Sequence, residues 1–267
     1  PVPGIGYEYV VSTSNVAPTG AGTPTTNTFA SLSSLLPQTT YYVFVRSNCT
    51  VSDFSAWNGP ISFTTACAPI TTLPHLEPFN TFLPICWTEA DNGDLTAGPA
   101  TIGTGSWLVD GLGNVGTTGA IRATLDGAID NDWVVSPEFT IPATGYELKF
   151  TAAATQGGLT VAPTTAWESD DSVEVLVTST GMTNWVPLYT YIDTNVPSNV
   201  GSLNVLDLDA YATQTVRFAF RAVEGAANGA AVVDFSVDNL EVRLSPTCPD
   251  QTGLAISGVT STGANTS

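Results

Sequence analysis

Apolar residues recur at spacing two along this chain, and nowhere do they sustain the period of a helix. Tyr41, Val43 and Val45 alternate in this way, and so do Val173, Val175 and Val177. Gly, Pro, Asn and Asp cut the runs into segments of strand length. Such a chain hides its side chains by stacking sheets, so an all-β fold is expected. Composition agrees. Charged residues make up 11 % of the 267, and Thr, Ser, Gly, Ala, Asn and Pro take their place. Helices would want Glu, Lys, Leu and Arg on their outer faces. Apolar residues, at 43 %, suffice for a real core.

The formal charge is −18, from six Lys plus Arg against twenty-four acids. A surface of that sign repels phosphate backbones and anionic lipid, so neither nucleic acid nor membrane insertion is expected. It attracts divalent cations, or it serves solubility alone. The four cysteines, Cys49, Cys67, Cys86 and Cys248, form no Cys-x-x-Cys pair, and His75 is the single histidine, which argues against zinc. Scarce lysine and Thr/Asn-rich strands point to an extracellular setting in which cysteines pair. No apolar run approaches membrane-spanning length.

Three parts are expected. Residues 1–66 hold a strand at Ile5–Thr13, a strand in the run Leu35–Arg46, a loop around Trp57, and a strand from Ile61 to Thr65. Leu35, Pro37, Thr39, Tyr41, Val43 and Val45 at spacing two, then Trp57 and Phe63-Thr64-Thr65, resemble a fibronectin type III domain. The resemblance implies a tyrosine corner at Tyr41, its hydroxyl held by nearby backbone. It also implies that this copy is incomplete and lacks its first strands.

Residues 67–245 read as a succession of strands at Ile85–Ala90, Ser106–Asp110, Ala120–Ala123, Asp132–Phe139, Glu147–Ala153, Ser172–Thr178, Trp185–Tyr191, Thr215–Val223 and Ala231–Leu244. So many strands predict a two-sheet sandwich of jelly-roll type. Leu76-Glu77-Pro78-Phe79-Asn80, Pro84-Ile85-Cys86-Trp87, Asn131-Asp132-Trp133-Val134-Val135-Ser136-Pro137 and Val237-Asp238-Asn239-Leu240, in that order, resemble the cleaved-adhesin or choice-of-anchor J (MAM-like) jelly rolls of Bacteroidetes surface proteins. Asn80 departs from the family, which often has an acid there.

Residues 246–267 contain Cys248-Pro249-Asp250 and Leu254-Ala255-Ile256-Ser257-Gly258-Val259, similar to the opening strands of another fibronectin type III domain. The fibronectin resemblance then implies a domain shared between successive units. Cys248 of one unit would pair with Cys49 of the next, and neighbouring repeat units of one protein or filament would be the partners.

The jelly-roll resemblance implies structural Ca2+ where the first and last strands meet, with Glu77 and Asp238 as ligands and Asp91 and Asp94 completing the shell. Ordinary surface acids are the competing reading. Cys67 and Cys86 flank the first strand of that unit and are expected to form a disulfide. Gly111-Leu112-Gly113-Asn114-Val115-Gly116 matches a phosphate-loop pattern, but a strand rather than a helix follows it, so it reads as a turn. Nucleophilic catalysis would have to use His75, in a linker, and no carboxylate pair stands out; no enzyme is expected. Trp107, Trp133, Trp167 and Trp185 are candidates for stacking on sugars or for the sandwich core, the core above all for Trp133, with Trp167, beside Glu168-Ser169-Asp170-Asp171, the best candidate for exposure. Two functions follow. The first is an adhesive or spacing repeat of a secreted, cell-surface protein that meets glycans or host proteins. The second is a carbohydrate-binding accessory module of a secreted enzyme.

Overall fold

A computed structural model describes residues 6–50, 52–127, 129–165, 167–227, 231–248, 256–257 and 265–266, the last four through their backbone. The chain divides into two compact units, Pro1–Ala68 and Pro69–Ser267. Among the described residues all regular structure is β-strand apart from two single turns of 3-10 helix, Leu112–Asn114 and Asp209–Tyr211, and no helix is long and apolar enough to cross a membrane.

The first unit is one antiparallel sheet of β1 (Gly6–Ser12), β2 (Thr23–Thr25), β3 (Thr40–Thr50), β4 (Asp53–Phe54) and β5 (Asn58–Thr64). The order is β2-β1-β3-β4, with β5 also on β3. Its two faces differ. On one, Glu8 stands opposite Arg46. The guanidinium binds Glu8 Oε2 at 2.7 and 2.9 Å and lies 4.2 and 4.5 Å over the rings of Phe54 and Trp57. The Gly22 N–H and then Arg46 hold the Glu8 carboxyl below its ordinary range.

On the other face Tyr9 and Val11 stand opposite Val45 and Val43, and Val43 and Tyr41 stand opposite Ile61 and Phe63. This is the row expected to face a core. Tyr41 does so: it is buried, and its hydroxyl accepts the Leu36 N–H at 2.9 Å. Val45 does not, being 40 % exposed, because among the described residues no second layer covers this face. The period-two signal marks a core face but cannot supply the sheet that closes it.

The second unit is a sandwich. The chain runs β6 (His75–Glu77), β7 (Thr88–Asp94), β8 (Gly98–Ile102), β9 (Leu108–Asp110), β10 (Ala120–Leu125), β11 (Asp130–Val135), β12 (Phe139–Thr140), β13 (Tyr146–Gln156), β14 (Ser172–Thr178), β15 (Val186–Tyr191), β16 (Ser202–Asp207), β17 (Thr215–Glu224) and β18 (Val233–Leu244). One sheet has the order β16-β13-β18-β10-β9 with β6 on β18; the other has β15-β14-β17-β11-β7-β8 with β12 on β17. The chain crosses repeatedly between the two, and all neighbouring strands are antiparallel, as in a jelly roll.

Alternate residues face inward. Leu148, Phe150, Ala152, Phe235, Val237 and Val242 meet Val173, Val175, Val177, Phe218 and Phe220 in one core. A smaller cluster on the outer face of the second sheet joins Ala90, Trp133, Val135, Leu176, Trp185 and Ala219. The strand expected over Asp132–Phe139 is two strands. Pro137 lacks the N–H that a ladder needs, and Ser136 takes over, its Oγ accepting the Phe218 N–H at 2.9 Å.

In the tail, β19 (Ile256–Ser257) and β20 (Asn265–Thr266) pair antiparallel in a sheet of their own. The rest of the expected opening strands lies outside the described residues.

Candidate functional site

The inner face of the β7–β11–β17 sheet changes character at one end. Val134 and Ala222 belong to the core. Beyond them the register places Asp132 opposite Asp91 on β7, and Asp130 opposite Glu224 on β17; Glu89 is two residues before Asp91. Because the pleat repeats every two residues, all five carboxylates fall on one face. Three of them, Asp130, Asp132 and Glu224, line a cavity of ≈ 280 Å³ together with Ser106, Thr124 and Asp126.

Carboxylate oxygens of Asp91, Asp130 and Asp132 lie within 4.8 Å of one another. Asp132 is 7 % exposed, and its Oδ1 accepts the Ser106 N–H at 2.8 Å. Glu224 accepts the N–H groups of Asp126 and Gly127. Asp91 Oδ1 and Glu89 Oε1 are buried with no hydrogen-bond donor. Burial raises the pKa values of Glu89, Asp91 and Asp132 above the ordinary range. The like charge of Asp132 adds to this at Glu89, and that of Asp130 adds to it at Asp91 and Asp132. An all-oxygen donor set with orphaned oxygens suits a hard divalent cation such as Ca2+.

The expected ligands are divided differently. Glu77 on β6 pairs with Leu240, and Asp238 lies two residues before Leu240 on β18. Burial raises both carboxyls. The Phe79 N–H donates to Glu77 Oε1 at 2.9 Å, and the Asn239 amide donates to Asp238 Oδ2 at 2.7 Å. Asp91 and Asp94 lie on β7 in the other sheet. Asp94 accepts the Thr96 and Ala97 N–H groups, each at 2.7 Å, which holds its carboxyl low. Among the described residues these four acids form no common cluster; Asp91 gathers with Asp130 and Asp132 instead. A signal for the missed pair was present: Glu89-Ala90-Asp91 and Asp130-Asn131-Asp132 each carry acids at spacing two.

A second trio, Glu168, Asp170 and Asp171, also converges. Two of its members tie down backbone: Asp170 accepts the Ala227 N–H at 2.8 Å and Asp171 the Gly225 N–H at 3.0 Å.

The tryptophans correct an expectation. Trp107, Trp133, Trp167 and Trp185 are all buried. Trp167, expected at the surface, is 4 % exposed and packs edge-on against Phe235 at 6.0 Å. Of its acidic neighbours Asp170 is exposed, Glu168 half-buried and Asp171 buried, while the indole fills the sandwich, so an acid-rich context misreports a large apolar ring. Trp167 also lines a surface groove shared with Asp193, Ser198 and Asn199. His75 packs its ring on Phe139 at 5.5 Å. The Gly111–Gly116 segment is a turn. Gly113, at φ 61, approaches so closely that a Cβ there would meet Asn199 O at 2.3 Å. Cys67 and Cys86 are disulfide-bonded, while Cys49 and Cys248 are free thiols.

No protein-family model matches the chain, and no curated protein matches it. Among solved structures, it is similar to the K1 cleaved adhesin domain of Lys-gingipain from Porphyromonas gingivalis W83. Identity is 16 % and the TM-score 0.42, over 66 % of this chain and 100 % of that one. It is also similar to TmCBM61 in complex with beta-1,4-galactotriose, at 12 % identity and a TM-score of 0.39, over 63 % of this chain and 95 % of that one. The K3 cleaved adhesin domain of the same gingipain matches at 16 % identity and 0.37, over 60 % and 92 %. Likenesses this distant bear on neither ligand nor activity.

Proposed function

We propose that the chain is a non-catalytic, adhesive or spacing segment of a secreted cell-surface protein, stiffened by Ca2+ at the rim of its sandwich. Neighbouring repeat units, glycans or host surface proteins are the partners in this reading. The observation that carries it is the convergence of Glu89, Asp91, Asp130, Asp132 and Glu224 on one sheet face, with two buried carboxylate oxygens lacking any donor. A cation there would join three strands of one sheet. Glu77 and Asp238, on the paired strands β6 and β18, are proposed as a separate and weaker oxygen site. The disulfide state of Cys67 and Cys86 supports an oxidising, extracellular location. The test is metal content. After dialysis against calcium and then buffer, the wild-type chain retains Ca2+ and the Asp130→Asn/Asp132→Asn chain loses it. Equal content in the two, or none in either, counts against the reading.

A second reading, a glycan-binding accessory module, is favoured by one feature. Trp167 lines the groove that holds Asp193, Ser198 and Asn199, and its Nε1 is buried without an acceptor. There the indole would act as a hydrogen-bond donor to a sugar hydroxyl, not as a stacking platform. Retention on a panel of immobilised polysaccharides, lost in Trp167→Phe, distinguishes it.

A further inference from the structure

The apolar face of the first unit is a groove of ≈ 500 Å³ lined by Tyr9, Val11, Val43 and Val45, with Phe29 and Leu32 along one side. The row extends across β5, where Ile61 is 76 % exposed. A sheet with one solvated face normally carries polar residues there. Three adjacent strands with apolar residues in register form half of a core. The opposite face of this sheet already has its cover, in the stack of Arg46 on Phe54 and Trp57.

The tail has the converse problem. Among the described residues β19 and β20 pair only with each other, and a two-stranded sheet alone is marginally stable. The sequence there, Leu254-Ala255-Ile256-Ser257-Gly258-Val259, is rich in apolar residues. The cysteines give an independent sign. Two of the four are disulfide-bonded and two are free. Of the free pair, Cys49 is the next-to-last residue of β3, four residues beyond Val45, and the exposed Cys248 precedes β19 and β20. In surroundings that oxidise one pair, the other pair is poised to form as well.

We propose that the groove over Tyr9, Val11, Val43 and Val45 is the docking site for the tail hairpin of a second copy of this chain, and that Cys248 of that copy closes the joint onto Cys49. Each thiol gives up a proton and one electron to a disulfide oxidant such as oxidised glutathione. The oxidant is reduced to two thiols as the new S–S bond forms. Because the joint is head to tail, it does not close on a dimer but propagates into a chain of units. The inference rests on the repeat-segment reading for the identity of the partner; it does not depend on calcium.

The test uses the full chain oxidised by glutathione disulfide and read by mass under non-reducing conditions. Wild type gives a ladder of dimers, trimers and longer species, in chelator as in calcium. Mixing Cys49→Ser with Cys248→Ser chains gives one heterodimer and no ladder. Val45→Asp puts a charge in the joint and lowers the yield of linked species by about tenfold or more. Its strand signal in circular dichroism stays native, since Val45 is an exposed position. A Cys49–Cys248 bond inside one monomer overturns the proposal. So do bonds joining like cysteines, a ladder unchanged in Val45→Asp, or a wild type that stays monomeric under oxidation. A ladder without calcium retention would leave this inference standing and remove the cation site.

Discussion

Asp132 stands directly across the β7–β11 ladder from Asp91, with no basic residue between them in the register and with Asp130 two residues away on the same side. Burial and then the like charge of Asp130 raise the folded-state pKa values of Asp91 and Asp132 above their unfolded values. Between the two values the native state therefore holds protons that the unfolded state has lost. These groups cost stability above their folded pKa values, and that cost is relieved as pH falls towards the unfolded ones. In chelator, the melting temperature of wild type relative to Asp132→Asn is thus expected to rise as pH is lowered from neutrality. Asparagine keeps an acceptor for Ser106, so the difference isolates the charge. A constant difference across pH would contradict the assignment.

Asp234 behaves in the opposite sense. It is buried, yet its carboxyl accepts from Arg122 Nη1 at 2.5 Å, Gly158 N at 2.6 Å, Thr124 Oγ1 at 2.7 Å and Asn114 Nδ2 at 2.9 Å. These donors outweigh burial and hold its pKa low. Its stabilisation is present above the unfolded pKa and disappears as pH falls through the folded one. Asp234→Ala leaves Arg122 with Asp110 as its one remaining carboxylate among the described residues and is expected to cost about 3–5 kcal/mol in chemical denaturation. A loss under about 1 kcal/mol, the scale of an exposed pair, would show that the network is not a unit.

The Tyr41 hydroxyl accepts the Leu36 N–H five residues upstream. Tyr41→Phe leaves that N–H without its partner and is expected to destabilise the first unit by about 1 kcal/mol or somewhat more. Hydrogen exchange at Leu36 should accelerate, while amides of β14 and β17 in the sandwich keep their protection. Uniform acceleration in both units would contradict a local role for this bond.

How much of this is legible in the sequence depends on whether the cause is local. Ser172–Thr178 reads as a strand with the bounds it has in the fold, because Val173, Val175 and Val177 alternate without interruption. Tyr41's hydroxyl contact is likewise a short-range feature. β8 is not legible, because Gly98-Pro99 opens it like a turn. β16 is missed because Leu203, Val205 and Leu206 do not keep a clean alternation. The acid cluster depends on which strands pair and in what register: Glu89 and Asp132 are far apart in the chain and meet only through β7 and β11. Trp167 shows the reverse error, since hydrophilic neighbours in sequence say nothing about where one ring packs.

The central claim is most directly tested by thermal unfolding of the full chain in calcium and in chelator at neutral pH. Binding restricted to the folded state must raise its stability, by about 2.7 kcal/mol at a hundredfold excess over the dissociation constant. The account predicts a melting temperature that rises with added Ca2+ and falls in chelator, with the shift lost in Asp130→Asn/Asp132→Asn. A wild-type melting curve identical in calcium and chelator would contradict it.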